Sequence, residues 1–206
     1  MSAPAPSIYL ASLSPRRQEL LRQLGVEFDL LRLREAAGRP KDVDEIARDS
    51  EPALHYVERL ARTKASVGGA SMRRRGLSPR PVLGADTEVV LDGEIFGKPR
   101  DAADAARMLT RLSGRTHHVS TAVALFWDGE ETAEIVTSAV TFRDVAPAEI
   151  DAYVATGESA DKAGAYAVQG RAAAFVARLE GSYSGVMGLP LCETAALLAR
   201  IGFPVL

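Results

Sequence analysis

The sequence predicts an α/β protein with a mixed sheet flanked by helices, and three observations carry that prediction. Short apolar runs with strand character alternate with amphipathic helical runs along most of the 206 residues. Two long strands, Thr116–Trp127 and Glu131–Phe142, are separated only by Asp128-Gly129-Glu130, so an antiparallel hairpin sits mid-chain. No repeat, low-complexity tract or interdomain linker interrupts the pattern, so one domain is expected over residues 1–206.

Ser7–Ala11 reads as a short buried strand. Ser14 then caps a helix, Pro15 suits its first position, and Leu20, Leu21 and Leu24 form its apolar face before Gly25 stops it. Val26–Leu33 reads as a strand, and the polar stretch Arg34–Asp49 has no periodicity. Pro52 opens a second helix bearing Leu54, Val57, Leu60 and Ala61, with Lys64 near its end. Ser71–Arg80 is expected to be an exposed loop, whose three arginines, Arg73–Arg75, read as a solvated charge run.

Pro81–Leu91 reads as a central strand, turned by Asp92-Gly93 into a short partner around Phe96. Asp101–Leu112 is an amphipathic helix, and Pro147 begins another through Val154. A glycine-punctuated segment, Gly157–Gly170, leads to a strand at Ala173–Arg178. The loop Gly181–Pro190 precedes a final helix near Leu191–Ile201.

Composition narrows the function class. An apolar fraction of 47% and a charged fraction of 25% are ordinary for a soluble globular chain. A net charge of −2 gives no support to a nucleic-acid coat, which needs a basic surplus. The single cysteine, Cys192, excludes an intramolecular disulfide and, in apolar surroundings, reads as a small core residue. No apolar run is long enough to span a bilayer and the N-terminus lacks signal-peptide character, so a cytoplasmic protein is expected. Arginine occurs 21 times and lysine only four, which makes each lysine worth locating.

Two motifs point to chemistry. Ser14-Pro-Arg-Arg17 follows a strand and opens a helix, where unpaired N–H groups and the helix dipole favour an anion. Arg16 and Arg17 oppose that dipole, a conflict a bound polyphosphate resolves; two solvated arginines behind an N-cap are the plainer alternative. Asp86 interrupts the apolar strand Val82–Leu91, where a carboxylate needs a cation or hydrogen-bond donors. It suits a Mg²⁺ ligand or a base on water, against the alternative of a structural acid paired with an arginine. Together the motifs suggest an enzyme acting on a phosphoanhydride.

Lys98, in Phe96-Gly-Lys-Pro99, follows the short partner strand and is expected near Asp86, but the glycine spacing is not that of a P-loop. Gln169, before Gly170, has an amide able to read a nucleobase edge or to close a loop. His55, His117 and His118 have no metal-ligand spacing, and no Ser-His-Asp or Cys-His arrangement emerges.

The ordered set Leu10–Leu21, Leu60–Ala65, Gly84–Thr87, Gly97–Pro99, Leu112–His117, Asp161–Tyr166, Val168–Gly170 and Val186–Pro190 resembles the Maf (septum formation inhibitor) family of nucleoside triphosphate pyrophosphatases. The resemblance implies an elongated mixed sheet with two lobes around a central cleft. It also implies metal-assisted hydrolysis of a nucleoside triphosphate to the monophosphate and pyrophosphate. By resemblance Asp86 is the catalytic acid/base position, and Arg16, Thr87 and Gln169 match the substrate-discriminating positions. Ser14, Arg17, Lys64 and Lys98 fall in motifs expected to bind substrate.

These three discriminating residues resemble the dTTP/UTP branch; the 7-methyl-GTP branch carries Trp-Arg after Ser-Pro, Gln after the Asp, and Glu in place of Gln169. An acidic cluster that helps hold Mg²⁺ or Mn²⁺ matches Asp42–Glu45, with Asp44 and Glu45 chosen as ligands and Glu35 competing from the longer Arg34–Lys41 insert. The resemblance suggests a homodimer, while hydropathy and net charge predict no membrane partner and no stable nucleic-acid partner. The alternative function is a nucleotide- or nucleic-acid-binding regulator of cell division without essential catalysis.

Overall fold

The structure, a computed structural model, describes residues 6–33, 42–48 and 51–205. Seven strands form one mixed sheet: β1 (Ser7–Leu10), β2 (Glu27–Leu30), β3 (Val82–Leu91), β4 (Glu94–Phe96), β5 (Thr116–Trp127), β6 (Glu130–Phe142) and β7 (Val176–Glu180). Their order is β2-β1-β3-β5-β6-β7, with β4 paired to β3 off this path. β1 is parallel to both β2 and β3, while β3/β4 and β6/β7 are antiparallel. The helices are α1 (Pro15–Gln23), α2 (Ala53–Arg74), α3 (Ala102–Leu112), α4 (Pro147–Val154), α5 (Tyr183–Met187) and α6 (Leu191–Arg200). The α/β class with a mixed sheet and flanking helices is as the sequence predicts. The Asp92-Gly93 and Asp128-Gly129 pairs all have positive φ, the geometry of two-residue hairpin turns.

By internal contacts the chain divides into two compact units. The first comprises Met1–Asp86, Thr121–Ile135 and Gly188–Leu206; the second comprises Thr87–Ser120 and Val136–Met187. The first unit packs α2 on its strands through Val57, Ala61, Ala65, Val82, Ala122 and Ala124, all buried. The second is centred on Leu109, Leu112, Phe142, Tyr166, Val168 and Phe175. Edge-to-face contacts there join His117 to Phe142 and Tyr166, and Tyr153 to Phe175.

Four expectations need correction. First, α2 runs on to Arg74, so Lys64 lies in its middle and Ser71–Arg74 are helical rather than loop. Gly68 and Gly69 weaken helix propensity in isolation, but a Cβ on either would press within 2.7 Å of Val82 or 2.3 Å of Phe126. The pair therefore serves close packing, and Met72 beyond it is buried. Arg73 and Arg74 suit the negative end of the helix dipole, and the Arg73 guanidinium lies over the Phe126 ring at 5.1 Å. Second, the last strand begins at Val176, because Arg171–Phe175 forms a 3-10 turn. Third, Tyr183–Met187 is a short helix inside the expected loop Gly181–Pro190. Fourth, Cys192 is exposed: α6 buries Thr194, Leu197 and Leu198, a stripe that misses position 192.

Candidate active site

In the first unit the strand order creates a site before any side chain is considered. β1 lies between β2 and β3, so the chain leaves β1 toward β2 and returns past it to β3. Loops at the carboxyl ends of such parallel strands diverge, and open α/β sheets bind ligands at that point. Leu10 pairs with Leu83, and Ala11 N–H donates to the Leu83 carbonyl at 2.8 Å. The loop Ser12–Ser14 therefore leaves the sheet where β3 continues through Gly84 to Asp86.

Ser14 caps α1: its Oγ accepts from Arg17 N–H at 3.5 Å and its carbonyl from Gln18 N–H at 3.2 Å. The first turn of α1 contains no acidic residue, so the positive end of the dipole is not offset from within the helix. Arg17 is anchored by its Nε to the Gly188 carbonyl at 2.8 Å and by Nη1 to Ser12 Oγ at 3.3 Å. That anchoring fixes a guanidinium beside the helix start. Arg16, its neighbour, is half-buried.

Asp86 is buried, and its partner is a lysine. Lys64 Nζ donates to Asp86 Oδ1 at 2.6 Å and lies 2.8 Å from Glu45 Oε1. The pairing follows from Gly84. A Cβ there would lie 2.5 Å from the Ala61 carbonyl oxygen, 2.6 Å from the Ala65 nitrogen and 3.1 Å from Lys64 Cβ. Only a residue without a side chain lets α2 lie directly on β3 at this point. Residues two apart on a strand share a face, so Asp86 points toward the same helix and meets Lys64. The segment carrying Glu45 is docked onto α2 by Tyr56 OH, which donates to the Glu45 carbonyl at 2.7 Å, and by Arg59, which donates to the Ile46 carbonyl at 3.2 Å. Arg59 also grips Glu51, whose carboxyl it holds down at about 2.

Two carboxylates thus converge on one ammonium. Oxygen donors of this kind fit a hard divalent cation, and magnesium is characteristically held by one or two carboxylates with phosphate and water completing the shell. Among the described residues no group of three or more His, Cys, Asp or Glu side chains is placed to hold a metal ion by itself. Asp44 differs from Glu45: its Oδ1 accepts from Ile46 N–H at 3.0 Å, turning it toward its own backbone. Glu35 lies outside the described residues, as does most of the Arg34–Asp49 stretch.

The remaining predicted residues belong to the second unit. Thr87 follows Asp86 on β3 and is half-buried. Lys98 is exposed, and the carbonyl of Gly97 before it accepts from Gly164 N–H at 3.2 Å. This bond ties the Gly97-Lys98 corner to the segment bearing Lys162 and Gln169. Lys162 pairs with Asp161 at 2.5 Å. Gln169 is exposed in a turn closed by Gly170 N–H on the Ala167 carbonyl at 3.0 Å.

This segment is strained and held in place. Ala165 has φ +59°, a region costing a non-glycine residue about 1 kcal/mol or more. Below it Gly164 packs on Val89, where a Cβ would stand 2.9 Å from Val89 Cγ2. Tyr166 OH is 2.8 Å from Nε2 of His117, which is fully buried. His117 is thus a strand residue inside the core; the sequence did not disclose its partner, 49 positions away.

Burial, reinforced by His118, lowers the His117 pKa from 6.5 to about 4. Its neutral form is favoured in the fold, so this stability is present above pH 6.5 and is lost as pH falls through 4. The full loss is about 3 kcal/mol. In urea unfolding, the advantage of the wild type over His117→Phe is expected to shrink by about that amount between pH 7 and pH 4. An unchanged difference would show that this ring does not titrate as described.

Among the described residues no helix is long and apolar enough to cross a membrane. The chain is 56% identical over 200 residues to a dTTP/UTP pyrophosphatase of Aromatoleum aromaticum, covering 96% of this chain and 97% of that one. It is 52% identical over 198 residues to a dTTP/UTP pyrophosphatase of Nitrosomonas europaea, covering 96% of each. A third protein of that name, from Nitrosospira multiformis, is 55% identical over 191 residues, 93% of this chain and 92% of the other. Residues 7–201 match the family described as Maf-like protein, and the chain belongs to that family.

Proposed function

We propose that the chain, acting as one catalytic domain over residues 1–206, hydrolyses dTTP and UTP to the monophosphate and pyrophosphate. The observation that carries this reading is the array in which Lys64 joins the buried Asp86 to the exposed Glu45 at the sheet's switch point, in the unit that also holds the α1 N-terminus with Arg16 and Arg17 in its first turn. Ser14, Arg16, Arg17, Lys64 and Lys98 bind the triphosphate, offsetting charge as it develops on the phosphate oxygens. Asp86 accepts a proton from a water molecule whose oxygen attacks the α-phosphorus. The bond between that phosphorus and the bridging oxygen breaks, and pyrophosphate departs with the bond's electrons.

Asp86 and Glu45 would hold Mg²⁺ or Mn²⁺, which when bound would polarise phosphate oxygens and acidify water; Asp44, the other acid proposed, would contribute the oxygen not engaged by Ile46 N–H. Lys64, shared by both carboxylates, is the group that holds them together. Thr87 and Gln169 select the base: an uncharged amide both donates and accepts, as thymine and uracil edges require. The protein is cytoplasmic, works as a homodimer and requires neither nucleic acid nor membrane; the reaction would remove unwanted nucleotides.

Pyrophosphate release from dTTP with Mg²⁺, measured beside an Asp86 variant, tests the reading. A division regulator without catalysis would give no release above the control. Gln169→Glu is expected to lower kcat/KM for dTTP and UTP about tenfold relative to dGTP. An unaltered substrate profile would remove Gln169 from base selection.

A further inference from the structure

The turn that presents Gln169 is braced from behind by two residues that the sequence does not single out. Glu158 is half-buried four residues after the end of α4. Its Oε1 accepts from Tyr153 OH at 3.0 Å and its Oε2 from Arg171 N–H at 3.2 Å. Tyr153 OH also engages the backbone of Ala167. The two residues therefore hold the turn Ala167–Gly170 at its first residue and just beyond its last. Between these points the carboxylate lies against Gly170: a Cβ there would stand 2.2 Å from Oε1 and 2.6 Å from Oε2.

We propose that Glu158 is a positioning residue for Gln169 and so sets pyrimidine selectivity through it. The inference rests on the reading of Gln169 as a base contact. An exposed amide at the centre of a short turn discriminates only if its donor and acceptor ends are held to within a fraction of an ångström. Glu158 supplies that restraint with hydrogen bonds to a charged group, stronger than neutral ones. Burial, and then the carboxylate itself, push the Tyr153 phenol well above its ordinary value, so it remains a donor throughout the neutral range. Gly170 is the complementary element, leaving room for the carboxylate beside the residue that reads the base.

The test compares Glu158→Ala, Glu158→Gln, Gly170→Ala and Gln169→Ala, with dTTP and dGTP as substrates and inorganic tripolyphosphate as a base-free competitor. Glu158→Ala is expected to lower the dTTP:dGTP ratio of kcat/KM about tenfold, mainly through KM for dTTP, with tripolyphosphate inhibition unchanged. Gly170→Ala, which displaces the carboxylate without removing it, should reproduce this, and Glu158→Gln should lose about two- to threefold. In a Gln169→Ala background Glu158→Ala should add nothing. The proposal is overturned if Gln169→Ala shifts the ratio while folded Glu158 and Gly170 variants do not. It is equally overturned if they depress kcat on both substrates alike, or if the double variant is additive. If Gln169→Ala itself leaves the ratio unchanged, the base reading fails instead. Should Glu158→Ala not fold, Gly170→Ala and Glu158→Gln decide the matter.

Discussion

Asp86→Asn is expected to cut pyrophosphate release from dTTP by about a hundred- to ten-thousandfold while the protein stays folded. The amide keeps the size of the carboxylate and an oxygen able to accept from Lys64, now at 2.6 Å. What it loses is the capacity to take a proton and the negative charge that a divalent cation needs. Removing one partner of a buried ion pair commonly costs about 3–5 kcal/mol, but here Lys64 retains Glu45 at 2.8 Å. The thermal midpoint should therefore move by only a few degrees. Single-turnover release, with circular dichroism on the same sample, separates lost chemistry from lost fold. A folded variant turning over at the wild-type rate would take the catalytic role away from Asp86.

Gly84→Ala should have the largest effect on stability of any single methyl addition in the first unit. The new carbon would meet the Ala61 carbonyl oxygen at 2.5 Å and the Ala65 nitrogen at 2.6 Å. Both are main-chain atoms of a helix whose neighbouring side chains are fully buried, so neither can rotate aside. The whole of α2 must lift or β3 must bend, at about 3 kcal/mol for overpacking of this kind. For a chain of 206 residues this corresponds to a midpoint lowered by about 6–12 °C. The same displacement withdraws Lys64 from Asp86, so residual folded protein should also be slow. Chemical unfolding and activity measured below the new midpoint check both parts. A variant as stable as wild type would mean that helix and strand do not touch as described.

Much of this molecule was legible in its residue order. The helix capped by Ser14, the strand bearing Asp86, both Asp-Gly hairpins and the α6 helix depend on interactions spanning a few positions, and local propensity decides these. The family was legible too, because its motifs are contiguous. Where the reading failed, a distant neighbour overrode the local signal. The helix opened by Pro52 was expected to end near Lys64 and instead runs on to Arg74, its Gly68-Gly69 pair packing against Val82 and Phe126; the setting of Cys192 suggested a core residue, but the buried stripe of α6 passes it by.

The site divides in the same way. Sequence alone determined that an acid sits within an apolar strand and that arginines open a helix. Only the tertiary structure decided that Lys64, 22 positions away, is the cation answering Asp86, that Glu45 shares it, and that Glu158 stands behind Gln169. The physical reason is that a charge's partner is set by which backbones can approach. In this chain two glycines, Gly84 and Gly170, permit those approaches by having no side chain to prevent them.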